Sequence, residues 1–231
     1  MAARPVSAQG GRSRKKDKAS PPAPETGSDP LSLDRIVATA VELLDAQGVE
    51  GLTMRRLADR LGAGAMSLYW HVANKEQVFD LALDAVLDYQ APPQPAESGD
   101  WRHEVVHVLE DWRARMLLHP WSAVLLPRRA LGPGILGRLE TLARILTRAG
   151  VADTDLNVAI WSLWNYVMGA TITRGSFGPT YDDRAAAQQR LAGLGDRYPT
   201  IGRARLLLDD DWDGTFRQGL DVLLDGVVPR D

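Results

Sequence analysis

Three groups of residues have types and spacings that could do chemistry. His103-Glu104-Val105-Val106-His107 fits H-E-x-x-H. On a helix the two histidines would share one face and could hold zinc, with Glu104 as base. A zinc hydrolase also needs a third ligand. His119 lies twelve residues beyond His107 and Glu140 thirty-three beyond it, and neither belongs to a second motif. Gly132-Pro133-Gly134-Ile135-Leu136-Gly137 fits G-x-G-x-x-G. No strand pattern precedes it, so it reads as a helix start with proline in the first turn rather than as a nucleotide loop. The third group lies between residues 55 and 75. Arg55 suits a bidentate contact to guanine, and Met66 suits a thymine methyl. Ser67 suits a base edge or phosphate, and Tyr69, His71 and Lys75 suit phosphate oxygens. Trp70 completes this cluster, with core packing as its alternative role.

The elements that must position the third group can be read from apolar spacing. Leu33, Ile36, Val37, Ala40, Val41 and Leu44 recur every three or four residues, which predicts a helix capped by Ser32 and ended by Gly48 at positive φ. Thr53 is placed to cap a short helix from Met54 to Leu61 that buries Leu57, Ala58 and Leu61. Gly62-Ala63-Gly64 predicts a tight turn with positive φ at its glycines. A third helix is expected from about Ala65 to Val72. Asn74 and Gln77 form a capping box for a fourth, reaching about Tyr89. Two short helices joined by a glycine turn and packed on a preceding helix constitute a helix-turn-helix. Leu52, Leu57, Leu61 and Leu68 would fix its angle.

Beyond a proline-bearing linker at 91–99, about five more helices are expected. These run from Asp100 to His119, briefly after Pro120, from Pro133 to before Gly150, from Asp153 to about Phe177, and from Asp211 to about Val227. The stretch 178–200 is polar and poorly patterned. No strand alternation occurs, so the fold class is all-α: an N-terminal three-helix helix-turn-helix domain at 31–90, and a larger helical domain at 91–231.

Composition narrows the function classes. The 231 residues hold 45% apolar and 25% charged side chains and no cysteine, which excludes disulfides and thiolate chemistry. No run of eighteen apolar residues occurs and the N-terminus lacks a signal-peptide core, so a cytoplasmic protein is expected. The net charge of −3 hides an uneven distribution. Residues 1–30 carry six Lys/Arg against three Asp/Glu, and the cluster Arg12, Arg14, Lys15, Lys16 and Lys18 lies among Pro, Ser and Gly. Such a tail is expected to be disordered, either solvated or serving as an arm that adds phosphate or minor-groove contacts. Residues 52–75 hold Arg55, Arg56, Arg60 and Lys75 against Asp59 alone.

The run LTMRRLADRLGAGAMSLYWHVANK, from Leu52 to Lys75, with VELLDAQGVEGLT before it and VFDLALDAVL after, resembles the DNA-binding motif of the TetR family over residues 31–89. The resemblance implies phosphate contacts from Thr53 or Met54, Tyr69, His71 and Lys75, and base contacts from Arg55, Ala65, Met66 and Ser67. Ala65 and Met66 stand where tetracycline repressors carry polar readers, so a different operator is expected. Residues 100–231 resemble the family's helical ligand-binding and dimerisation domain in layout and length, which implies those two roles for the domain at 91–231. The histidines that hold a drug–magnesium complex in tetracycline repressors have no counterparts at matching places, so a different effector is expected. By the same resemblance, the helix from Asp153 and the last helix would form a four-helix dimer interface.

Five of the seven tryptophans fall between residues 101 and 164. Trp112, Trp161 and Trp164 with Met116 and Met168 could line an apolar pocket, with ordinary core packing as the alternative. Ser162, Asn165, Gly169 and Thr173 form a stripe suited to close helix approach across a dimer. The expectation is a homodimeric, ligand-released repressor that binds a pseudo-palindromic DNA operator and a small, mainly apolar effector. It is expected to have no catalytic activity, cofactor, bound metal or membrane association. The alternative is a zinc metalloenzyme using His103, Glu104 and His107.

Overall fold

Ser32 Oγ accepts from the Arg35 backbone N–H at 3.2 Å and starts the first helix, α1 (Leu33–Gly51). The computed structural model describes residues 31–89, 100–129, 131–176, 181–195, 197–203 and 211–228. The basic tail and the 91–99 linker lie outside them. α1 is interrupted at Gly48, whose φ of 67° and ψ of −172° lie where only glycine sits without strain. One further turn closes before α2 (Met54–Leu61), capped by Thr53.

Gly62 ends α2 in the left-handed conformation, at φ 64° and ψ 26°. Gly64 does not share it: at φ −68° and ψ 141° it is the extended cap of α3, so one positive φ suffices for the turn. α3 (Ala65–Leu68) is shorter than expected. The N–H groups of both His71 and Val72 converge on the carbonyl of Leu68. The tightened turn brings Val72 into the core, 1% exposed, and ends the helix. α4 (Lys75–Leu87) stops before Tyr89. Asn74 caps it through the Gln77 N–H at 2.9 Å, and the Gln77 side chain returns to the N–H of Ala73 rather than to that of the cap itself.

The remaining elements are α5 (Trp101–Leu118), α6 (Pro120–Leu125) with a 3₁₀ turn to Arg128, α7 (Pro133–Arg148), α8 (Asp153–Ser176), α9 (Tyr181–Gly193), α10 (Pro199–Arg203) and α11 (Trp212–Val227). No strand occurs among the described residues. The helices α9 and α10 occupy most of the stretch whose polarity gave no pattern. α9 carries Ala185-Ala186-Ala187-Gln188-Gln189-Arg190, good helix formers without an apolar face, so propensity and not periodicity builds it.

The buried side chains of α1–α8 and α11 form one cluster. α4 packs on α1 and also on α5, α6 and α7, while α8 packs on α5, α7 and α11. α11 is fastened to α5 by three ion pairs: Arg102–Asp225 at 2.9 Å, Arg113–Asp213 at 2.7 Å, and Arg217–Glu110. It meets α8 where the Tyr166 ring stacks on Phe216 and its hydroxyl donates to the Phe216 carbonyl at 3.0 Å.

A methyl group at Gly219 would overlap the Tyr166 hydroxyl. Gly219→Ala should therefore cost about 1–3 kcal/mol, lowering the midpoint of thermal unfolding by roughly 2–10 °C. An unchanged midpoint would show that Tyr166 is not held there. The hydrogen bond from Arg113 holds the Asp213 carboxyl below its ordinary pKa. The pair therefore stabilises the fold fully above the ordinary aspartate range, and that contribution fades as pH falls through the depressed value. The stability gap between wild type and Asp213→Asn, small because Asp213 is largely exposed, should begin to narrow below about pH 4 in urea titrations and close only below the depressed value.

Candidate nucleic-acid interface

A frame of buried apolar side chains carries the candidate face. Leu52, Leu57, Leu61 and Leu68 are at most 8% exposed and join α2 and α3 to α1. With Leu68 turned inward, its neighbours on α3 and in the following turn point to solvent. Met66 is 75% exposed, Tyr69 48% and Trp70 89%, and Ala65, Ser67 and His71 are exposed too. Trp70 has no place in the core, which removes the alternative weighed for it.

The three arginines of α2 have different surroundings. Arg56 donates to the Gln47 side chain and the Gly51 carbonyl, both at 3.1 Å, and so fixes α2 to the end of α1. Arg60 lies 3.7 Å from Glu42 of α1. Among the described residues Arg55 has only the loose pair with Asp59 at 4.0 Å, and its side chain is 92% exposed. Thr53 Oγ1 accepts from the Arg56 N–H at 3.2 Å, which leaves its hydroxyl proton free to donate. Met54 is half-buried against the core. Lys75, at the first position of α4, lies with Nζ 5.0 Å from the Phe79 ring centroid.

Sequence reading missed the groups that bind this face to the rest of the chain. Arg129 holds the start of α4 by donating to Asp80 at 2.7 Å and to the Glu76 side chain and carbonyl. The bond to Asp80 is the main cause of a raised pKa for Arg129. Asp84, in the middle of α4, accepts from the N–H of Gly134 at 2.7 Å. A Cβ at Gly132 or Gly134 would press on Asp84, so the first two glycines of G-x-G-x-x-G serve the close approach of α7 to α4. At the end of α4, Arg115 reaches the Val86 carbonyl at 3.4 Å and Arg138 the Leu87 carbonyl at 3.2 Å. Asp45 of α1 accepts from Trp121 Nε1 at 2.7 Å and pairs with His119 Nδ1 at 2.8 Å. Each link joins residues 29 or more positions apart, and no local pattern marks them.

The zinc reading fails on geometry. His103 and His107 are exposed on α5, Glu104 receives a 2.6 Å bond from Arg148 of α7, and His119 is engaged by Asp45. Among the described residues no three His, Cys, Asp or Glu side chains are placed to hold a metal ion.

The aromatic candidates of the second half are brought together. Trp112 meets Trp164 edge to face at 4.8 Å, and Trp164 meets Trp161 at 5.5 Å. Trp112, Met116, Trp164 and Met168 are buried, whereas Trp161 is 50% exposed. A separate open groove of about 860 Å³, lined by Leu33, Val37, Val41, Leu81, Asp84 and Pro133 among others, includes no tryptophan.

Comparison with known proteins follows this division of the chain. The model of the bacterial regulatory proteins of the tetR family matches residues 36–82, and that of the tetracyclin repressor-like C-terminal domain matches residues 92–230. The chain belongs to the TetR family. It is a helix-turn-helix transcriptional regulator. An HTH-type transcriptional regulator of Saccharopolyspora erythraea is 39% identical over 203 residues, covering 86% of this chain and 85% of that protein. The TetR family protein ActR of Streptomyces coelicolor, solved in complex with (S)-DNPA, superposes with a TM-score of 0.73 at 30% identity, over 87% of this chain and 98% of its own. BioQ, solved with its double-stranded DNA operator, gives 0.62 at 26% identity, over 87% and 99%. No helix among the described residues is long and apolar enough to cross a membrane.

For a TetR-type motif the cap of α2 is the first local contact to test. Thr53→Ala should cost about 1 kcal/mol in urea unfolding, and Thr53→Ser should restore most of it. Equal midpoints for all three proteins would remove the cap from the account of this motif.

Proposed function

We propose that residues 31–90 read DNA and residues 91–231 bind an effector and dimerise. The protein then works as a non-enzymatic cytoplasmic repressor released from its operator by a small ligand. The observation that carries this reading is the exposed set on the leucine frame. Met66, Ser67, Tyr69, Trp70 and His71 project from α3 and its turn, with Arg55, loosely paired with Asp59, exposed on α2. Arg55, Ala65, Met66 and Ser67 contact base edges in the major groove. Thr53, Met54, Tyr69, Trp70, His71 and Lys75 face the sugar–phosphate backbone, and these contacts set register rather than sequence.

The dimer uses the outer face of α8 and α11. Val158, Trp161, Ile172 and Val222 are 69%, 50%, 42% and 73% exposed there, alongside exposed Asn165 and Gly169. Large apolar side chains grouped on a helix pair mark an association surface. A two-fold axis through it presents two recognition helices to successive major grooves about 34 Å apart. The effector sits among Trp112, Met116, Trp161, Trp164 and Met168, as the bound ligand of ActR encourages. Release requires the ligand to bind the off-DNA conformation more tightly, and DNA weakens the ligand by the same factor.

Selection from random duplexes with the full chain at near-physiological salt tests the reading. A palindrome with half-sites about one turn apart is the expected product; enrichment of nothing, with binding that only fades as salt rises, would overturn it. On the selected duplex Arg55→Ala should lose about 1–3 kcal/mol and relax preference at one base pair. Lys75→Ala should weaken all sequences alike and reduce the slope of log K against log salt by about one. Unchanged binding by both variants would sink these two assignments.

A further inference from the structure

The open groove that includes no tryptophan is lined by α1, α4 and the start of α7. Its volume of about 860 Å³ falls in the range of small-molecule sites. The floor is aliphatic: Val37 and Val41 of α1 and Leu81 of α4 are half-buried there, and Leu33 is 40% exposed. Ala38 and Ala85 stand exposed along it, and their small side chains leave open the space that larger ones would fill. On α1 the lining runs from Leu33 to Val41, about 12 Å of helix.

The charges around this floor have one sign. Asp34, Asp84 and Asp88 line the groove, and none of its lining residues is a lysine, arginine or histidine. Asp84 and Asp88 stand together at the start of α7, since a Cβ on Gly134 would lie 3.0 Å from Asp84 Oδ1 and 3.1 Å from Asp88 Oδ1. Asp84 accepts from the Gly134 N–H through Oδ1, which leaves Oδ2 able to accept another donor. Asp34, in the first turn of α1, has no ion pair among the described residues. The N-termini of α1 and α7 supply about half a positive charge each. Asp34 and Asp84 alone exceed that, so the groove is negative.

An aliphatic trough edged by carboxylates complements an apolar body that carries a positive charge. We propose that this groove is a second ligand site, apart from the tryptophan cluster, for an aliphatic ammonium ion. The hydrocarbon lies along Val37, Val41 and Leu81, and the charged nitrogen donates to Asp34 and Asp84. A neutral molecule of the same length gains the trough without the charge-assisted hydrogen bonds.

Two probes of equal length, octylammonium and octan-1-ol, separate these contributions in titration calorimetry on the full-length protein. The ammonium should bind once per chain and about tenfold more tightly than the alcohol, the value of a hydrogen bond to a charged group. Asp34→Asn removes one carboxylate from an exposed position and should erase most of that preference while leaving alcohol binding within about twofold. Ala38→Phe fills the trough from an exposed position and should abolish binding of both probes, with its fold checked by circular dichroism. Equal affinities in the wild type, no binding of either probe, or many ammonium ions per chain would each overturn the proposal. So would an undiminished preference in Asp34→Asn. Undiminished binding in Ala38→Phe would place the probes elsewhere and overturn it too.

Discussion

The guanidinium of Arg138 has no exposed surface, yet it donates to the carbonyls of Val108 and Leu87 and to the carboxylate of Asp111. Burial pulls its pKa below the usual arginine value, and the bond it donates to Asp111 opposes that pull. A charge so placed is tolerated only when its partners are fixed, because a lost partner leaves a buried charge uncompensated. The partners here belong to α4 and α5, so the end of α4 is bound to the interior of the second half. Arg115 repeats the link through Asp111 and Val86, and Arg129 closes the other end of α4 on Asp80 and Glu76. The helix that follows the recognition segment therefore cannot shift without disturbing charged hydrogen bonds in the region that holds Trp112.

That constraint explains how weak chemistry at one end of the chain can be felt at the other. Coupling free energies between sites are typically about 1–3 kcal/mol, which is the scale of one or two charge-assisted hydrogen bonds. The links from Arg115, Arg129 and Arg138 to α4 are of that kind. Asp45, held by Trp121 and His119, adds a direct tie from α1 to the start of α6. The recognition face itself needs no such long-range support, since its angle rests on Leu52, Leu57, Leu61 and Leu68. Rigid packing sets what the face presents, and polar links set where it sits.

The charge distribution suits the same division. A chain with a net charge of −3 gains little from long-range attraction to DNA as a whole. The cations near the reading face differ in their engagements. Arg56 and Arg60 face acceptors on α1, Arg129 is committed to α4, and Arg55 projects with a loose pair to Asp59. Helix α5 shows the opposite outcome for a motif that looked chemical. Its H-E-x-x-H is dispersed because Glu104 turns toward Arg148 of α7, leaving two exposed histidines with no third ligand among the described residues.

Much of the fold was legible because the deciding forces are local. Ser32, Thr53, Asn74 and Asp100 each accept the backbone bonds expected of a cap, and apolar spacing located most helices to within a few residues. The resemblance to the TetR family rested on the same short, contiguous run. Local reasoning failed at α3, whose end is decided by the burial of Val72, and at α9, where alanines and glutamines build a helix without an apolar face. By itself the sequence determined the all-helical class and the helix-turn-helix, since these depend on neighbours within about four positions. Only the tertiary structure decided that Trp70 is bare, that Glu104 is an ion-pair partner and that Arg138 lies buried beside Trp112. Those outcomes turn on which distant helix face meets each side chain, and burial and charge pairing are settled only when the helices pack.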